Sequence, residues 1–138
     1  MGVILDSSVL IAAERGTVRF DALLASLGSA PIAMAAITAS ELLHGCHRAA
    51  DPAIRQRRSA YVEALLEIVP VAPFGLAEAR RHAQLWADLA RQGSLVGAYD
   101  MLIGATALAR GDSVATLNRT EFARIPGLRL RPLEGFMA

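Results

Sequence analysis

Three carboxylates carry the chemistry this sequence can offer. Asp6 follows the apolar run Val3-Ile4-Leu5, Glu41 comes shortly after the apolar residues 31–35, and Asp100 precedes Met101-Leu102-Ile103. Each has an ordinary structural use. Asp6 can cap a helix, Glu41 can close a capping box with Thr38, and Asp100 can favour the positive end of a helix for about 0.3–1 kcal/mol. A shared pocket would be another matter, because two carboxylates about 5 Å apart repel by about 3 kcal/mol at an effective dielectric near 20. Three of them together require protons, arginines or a metal. A hard cation suits oxygen donors, and magnesium is typically held by one or two carboxylates while keeping several waters.

Whether these acids meet depends on the elements that carry them. Val3-Ile4-Leu5 is apolar and β-branched, as a buried strand is. Capping side chains at Asp6-Ser7-Ser8 introduce a short helix over 9–14, stopped by Gly16, and a second helix over 21–27 ends at Gly28. Residues 31–35 read as a second strand. Thr38-Ala39-Ser40-Glu41 matches the capping-box pattern, so a helix is expected from Thr38 towards Ala50. Asp51-Pro52 starts the next helix, which reaches about Glu67 with Tyr61, Leu65 and Leu66 on its apolar side. Residues 68–71 make a third strand. A helix over 75–91 places Leu76, Ala79, Ala83 and Trp86 or Ala87 at core spacing. A helix over 99–110, a strand over 113–116 and a candidate fifth strand over 128–130 complete the chain.

Short apolar strands alternating with helices define an α/β domain with a mostly parallel sheet of four to five strands flanked by helices, one domain over 1–138. In such a sheet every strand ends, and every following helix begins, at one edge, where ligands bind. Asp6, Glu41 and Asp100 all project to that edge.

Composition narrows the chemistry further. The chain has 138 residues, 54% hydrophobic and 20% charged, which suits one globular domain. Fourteen basic residues face thirteen acids, and every one of the fourteen is arginine. Without lysine there is no Walker A loop and no Schiff-base nucleophile, nor the aspartate–lysine pair of receiver domains and haloacid-dehalogenase-type phosphatases. A net charge of +1 gives no global pull on nucleic acid, so an anionic partner must be held by local arginine clusters. No apolar stretch reaches the roughly 18–20 residues of a membrane helix, and Asp6 interrupts any signal-peptide core. The single cysteine, Cys46, excludes an internal disulfide and suggests a reducing, cytoplasmic location.

The order of these motifs resembles a known family. Val3-Ile4-Leu5-Asp6-Ser7-Ser8-Val9-Leu10-Ile11 is similar to the opening of a PIN domain. Ser40-Glu41-Leu42-Leu43 with Gly45 resembles its second acidic motif, Asp100-Met101-Leu102-Ile103-Gly104-Ala105-Thr106-Ala107-Leu108 its third, and Thr116 with Asn118 and Phe122 its fourth. The size is similar to that of the VapC toxins of bacterial VapBC toxin–antitoxin pairs. The resemblance implies a metal-dependent endoribonuclease in which Asp6, Glu41 and Asp100 bind Mg²⁺ or Mn²⁺ and catalyse hydrolysis to a 5′-phosphate and a 3′-hydroxyl. Asn118 stands where some members carry a fourth acid, and its amide oxygen is a weaker ligand; Glu121 is near enough in sequence to assist. Ser7 and Thr116 either orient the carboxylates or serve only as a helix cap and a strand-end hydroxyl. Arg119 and Arg124, beside the fourth motif, are the candidates for RNA phosphates. The family further implies a homodimer and a VapB-like antitoxin that docks on the helices of residues 38–67 and sends an arginine into the acidic pocket.

Other constellations are weaker. Glu41-x-x-His44 has di-iron spacing but no second copy. His44, Cys46 and His47 lack a second zinc-like pair, Cys46 suits packing, and His82 reads as a solvated helical histidine. No G-x-S-x-G elbow is present. The competing functions are a PIN-fold binding module without catalysis, suggested by Asn118, and a DNase of the 5′-nuclease type, for which 138 residues leave no helical arch.

Overall fold

The computed structural model describes Met1–Ala138. Its strands are β1 (Val3–Leu5), β2 (Ile32–Ala35), β3 (Val71–Ala72) and β4 (Ser113–Ala115). The helices are α1 (Ser7–Glu14), α2 (Phe20–Leu27), α3 (Ala36–His47), α4 (Pro52–Ile68), α5 (Leu76–Gln92), α6 (Ala98–Arg110) and α7 (Arg119–Phe122). The four strands pair in the order β3-β2-β1-β4, all parallel. The chain steps outward from β1 to β3 and then returns to the far side of β1 for β4. The gap between β1 and β4 is therefore the point where strand order reverses, the usual place for a ligand in an open α/β sheet.

Burial on both faces explains why the strands are apolar runs without alternation. Val3 and Leu5 point into one core with Met34 of β2 and with Leu10, Leu23, Leu42 and Leu65 from the α1–α4 layer. Ile4 and Val114 point into the other, with Leu89, Ile103 and Phe122 from the α5–α7 layer. Phe122 of α7 is fully buried and fastens the segment after β4 to the second core.

Several expectations are corrected. Helix α3 begins at Ala36, directly off β2, with Ala35 as its cap. Thr38 lies inside the helix, fully buried, and its hydroxyl has no partner, so the Thr38–Glu41 capping box does not form. Helix α4 absorbs Ile68; Pro70, which has no N–H to continue a helix, ends it, and β3 shifts to Val71–Ala72. The fifth strand is reduced to one parallel bridge, Val114 with Leu130, after the left-handed turn at Gly127. In α5 the buried residues are Leu85 and Leu89, whereas Leu76 and Trp86 are 68% and 57% exposed. Both sides of α5 carry apolar residues, so periodicity alone could not choose between them. His82 is not simply solvated: its ring lies 6.0 Å from Phe74 and 5.8 Å from Trp86. Asp51 caps α4 as expected, accepting from the Ala53 and Ile54 amides at 2.8 and 3.3 Å.

The buried Thr38 hydroxyl has a measurable consequence. A capping threonine contributes about 1 kcal/mol, whereas a buried hydroxyl without a partner costs about 1–3 kcal/mol. Thr38→Val should leave the Tm unchanged or raise it by a few degrees in thermal unfolding. A fall of similar size would restore the capping role.

Candidate active site

The first acid is placed by the central strand pair. The Asp6 amide donates to Ala115 O at 2.9 Å, joining the end of β1 to the end of β4. Asp6 occupies the cap position of α1 but makes no side-chain cap bond. Its Oδ2 instead accepts from Ser8 Oγ at 2.7 Å and from Thr116 Oγ1 at 2.8 Å. Ser8 Oγ in turn accepts from the Leu117 amide at 3.0 Å, and Thr116 Oγ1 from the Asn118 amide at 2.9 Å. Both hydroxyls bond to the same carboxylate oxygen, which leaves Oδ1 without a protein partner. Asp6 is 3% exposed, so this buried carboxylate has one oxygen held and the other available.

Glu41 faces the same neighbourhood from the second turn of α3, and Asp100 from the first turn of α6. Burial, then the charges of Asp6 and Asp100, push the Glu41 carboxyl above its ordinary value, while the Ser7 hydroxyl opposes the rise. Burial, then Asp6 and Glu121, push Asp100 up to about 6. The Asn118 amide works against that shift, donating from Nδ2 to Asp100 Oδ2 at 2.9 Å. The fold thus brings Asp6, Glu41 and Asp100 together, with the repulsion expected of like charges in a partly dry pocket.

Asn118 and Glu121 divide the fourth position. Asn118 turns its N–H toward Asp100 and so acts as a donor to an acid rather than as an oxygen ligand. Glu121 supplies the additional negative charge. Its Oε1 accepts from the Gly97 amide at 2.6 Å, and a Cβ at Gly97 would lie 3.5 Å from that oxygen and 3.9 Å from Asp100 Oδ2. Glycine at the start of α6 therefore keeps the space between the two acids open.

The cluster fits a hard cation. None of the three acids is in an ion pair, and the chain's pairs are Arg91–Asp88, Arg110–Asp112 and Arg124–Glu121. Glu41 Oε1 is buried without a hydrogen-bond partner. No three His, Cys, Asp or Glu side chains stand close enough together to hold a metal ion among them. The support for a cation is the orphaned Glu41 oxygen and the lack of any arginine partner, and magnesium typically needs only one or two carboxylates.

The remaining candidates fall around the rim. Ser7 sits beside Glu41 and is half-buried. Arg119 is exposed, with Nη1 3.3 Å from Arg131 O. Arg124 Nη1 lies 3.4 Å from Leu95 O and 3.8 Å from Glu121 Oε2. Cys46 is buried and donates to Leu42 O, and His44 is exposed on the same helix. Sequence reasoning alone misses Ser8 as a partner of Asp6. The pair Ser7-Ser8 shows two candidate hydroxyls, and only the phase of α1 decides which one returns to Asp6.

The PIN domain family model matches residues 3–128. Ribonuclease VapC1 of Rickettsia felis is 38% identical over 130 residues, which cover 94% of this chain and 95% of that protein. The tRNA(fMet)-specific endonuclease VapC of Salmonella typhimurium is 35% identical over 105 residues, 76% of this chain and 77% of that one. DNA-bound VapBC of Salmonella typhimurium contains a chain matching with a TM-score of 0.85 and 30% identity, covering 95% of this chain and 97% of that one. In VapBC2 of Rickettsia felis bound to a promoter DNA fragment, a chain with a TM-score of 0.86 and 22% identity shares the fold; the match covers 95% of this chain and 98% of that one. The chain belongs to the PIN domain family and, within it, to the VapC ribonucleases.

Charge repulsion in the cluster has a measurable signature. At pH values below its unfolded value of 3.8, Asp100 is neutral in both states. As pH rises from there through about 6, the unfolded chain ionises first, and the metal-free fold loses stability relative to it. Asp100→Asn should raise the Tm of metal-free protein at about pH 7.5, and the difference should vanish near pH 4. An equal difference at both pH values would remove the repulsion account.

Proposed function

We propose that this chain is a VapC-type toxin that hydrolyses RNA phosphodiester bonds with a divalent cation, Mg²⁺ or Mn²⁺, and that a VapB-like antitoxin neutralises it. The observation that supports the reading is that three carboxylates without ion pairs act on one another near the point where strand order reverses, Asp6 raising the pKa of both Glu41 and Asp100, and Glu41 Oε1 is buried there without a partner. Asp6, Glu41 and Asp100 would hold the cation. When bound, such a cation draws on a phosphate oxygen and acidifies water. Asp6 is the rigid member, kept in place by Ser8 and Thr116. Asn118 keeps Asp100 oriented through Oδ2, and Glu121 adds negative charge beside it. Arg119 and Arg124 stand at the rim, where they can meet substrate phosphates.

The relatives bear on substrate and partners. They are ribonucleases, one of them named for tRNA(fMet), so tRNA is the first substrate to test. The 30%-identical structural relative was solved as a VapBC complex. The α3–α4 pair beside Glu41 is where an antitoxin segment would reach the acids. No helix is long and apolar enough to cross a membrane.

Purified protein should cleave tRNA with Mg²⁺ or Mn²⁺ and stop in EDTA. Asp6→Asn and Asp100→Asn should each lose about a hundredfold or more of the rate, the scale of removing one electrostatic contact to a transition state. Cleavage that survives both variants would end the reading. Metal-independent RNA binding without cleavage would favour a non-catalytic module.

A homodimer belongs to the same proposal. The outward side of α5 leaves Leu76 and Trp86 uncovered next to Phe74, an apolar face that a second copy would bury. Trp86→Glu should turn a dimer into a monomer in sedimentation equilibrium while the far-ultraviolet spectrum is retained. A dimer of unchanged strength would place the contact elsewhere.

A further inference from the structure

An acidic pocket repels RNA, so the affinity for substrate must come from cations placed beside it. Arg119 begins α7, and Arg124 stands beside it, already paired with Glu121. A different set of arginines lines the cavity that adjoins Glu41. This cavity, of about 320 Å³, lies between α1, α3 and α4, with Tyr99 of α6 at its edge. Glu41, His44 and Gly45 of α3 and Arg48, its C-terminal cap, stand at intervals of three and four and share one face of it. That wall therefore runs about 10 Å from an acid of the cluster to a guanidinium.

Arg58 of α4 crosses the same wall. Its Nη1 donates to Gly45 O at 3.4 Å, and a Cβ at position 45 would lie 3.9 Å from its Cδ. Neither Arg48 nor Arg58 takes part in an ion pair. Besides Glu41, the lining holds one acid, Glu14, and a third arginine, Arg15. Tyr99 directly precedes Asp100 and is 55% exposed, so an aromatic side chain is open to solvent next to the acids. A guanidinium fork matches a phosphate in a bidentate way, and an exposed aromatic ring gives a base a sequence-tolerant platform.

We propose that this cavity is a nucleotide subsite of the substrate path, in which Arg58 and Arg48 hold the phosphate next to the one cleaved and Tyr99 stacks on a base. The inference rests on the ribonuclease reading of the acids and extends it. The acids then act on one phosphodiester while the arginines position the strand through its neighbour. Gly45, without a side chain, keeps the passage between them open.

Binding and cleavage can be tested separately. A mixed-sequence, 5′-fluorescein-labelled oligoribonucleotide is titrated with metal-free protein in EDTA across a salt series. Arg58→Gln should weaken binding about tenfold or more, the scale of a charge-assisted hydrogen bond, and Arg48→Gln somewhat less. Each should reduce the slope of log K against log salt by about 0.7, as expected for one lost phosphate contact on a single strand. Tyr99→Leu should weaken binding about fivefold or more without changing the slope. Gly45→Leu fills the cavity and removes no charge. It also replaces a poor helix former with a good one; with the far-ultraviolet spectrum checked for retention of the fold, it should weaken binding as well. Arg129→Gln, remote from the cavity, should change neither quantity.

Folded Arg58→Gln, Arg48→Gln and Gly45→Leu variants with wild-type affinity and slope would overturn the proposal. Variants that keep RNA affinity but lose a protein partner would assign the cavity to a protein segment and overturn it equally. Adding Mg²⁺ or Mn²⁺ then tests the underlying reading separately. Wild type that binds in this variant-sensitive way but never cleaves would sink the nuclease and leave the subsite. Wild type that cleaves while the variants behave like it would sink only the subsite, and wild type without RNA affinity would sink both.

Discussion

The pairing of β1 with β4 is the constraint on which the site depends. It joins residues more than a hundred positions apart, and the Asp6 amide to Ala115 carbonyl bond lies at its end. Through that seam Thr116 and Ser8 reach the Asp6 carboxylate, and Leu117 and Asn118 are fastened to those two hydroxyls. Asn118 then touches Asp100, and Phe122, sunk in the second core, holds Glu121 near the start of α6. A slip of one residue between β1 and β4 would turn Ile4 and Val114 out of their core. It would also separate every one of these polar contacts.

That network explains why like charges can be held together at all. Two apolar cores, one on each side of the sheet, supply the stability against which the repulsion is set. The strain is local: a buried Glu41 oxygen without a partner, and an Asp100 whose ionisation is disfavoured by burial. Structural sites relieve such strain with arginine or by replacing the acid. Here the nearest arginine–acid pair involves Glu121 and Arg124, at the rim, and the three inner acids have none. Local violations of good packing rules are where function is expected in an otherwise consistent fold.

Much of this is visible in the residues themselves. The strands β1, β2 and β4 are apolar on both sides, and the rule that parallel strands end at one edge brings Asp6, Glu41 and Asp100 together without coordinates. Helix ends at Gly28, Gly93 and Gly111, where φ is positive, and at the Asp51-Pro52 cap are equally plain. What stays hidden is what depends on phase or on competition. Thr38 and Glu41 have capping spacing, but the helix starts two residues earlier because β2 runs straight into it. The apolar residues of α5 fit either side of a helix, and α6 packs against Leu85 and Leu89 rather than Trp86. Asn118 and Glu121 both follow β4, and only the turn of α7 decides which of them presents an oxygen to the acids.

An enzyme for a polyanion with an acidic centre must keep its positive charges close but unpaired. Had an arginine reached Asp6 or Asp100, each charge would have quenched the other, and neither cation nor phosphate would find a partner. Helix α3 solves this by distance along one face: Glu41 at the pocket, Arg48 seven residues on, and Gly45 between them with Arg58 laid across. Arginine suits that separation better than lysine. It stays charged at any working pH, and one donor can anchor it to a carbonyl, as at Gly45, while the rest of the fork remains available. A chain whose fourteen basic residues are all arginine can therefore fix its positive charges by backbone contacts and keep them for an anion. On the proposed reading, the acids at the strand ends and the guanidiniums of Arg48 and Arg58 form one arrangement, in which charge of each sign is positioned by the fold and left for the substrate and its cation to neutralise.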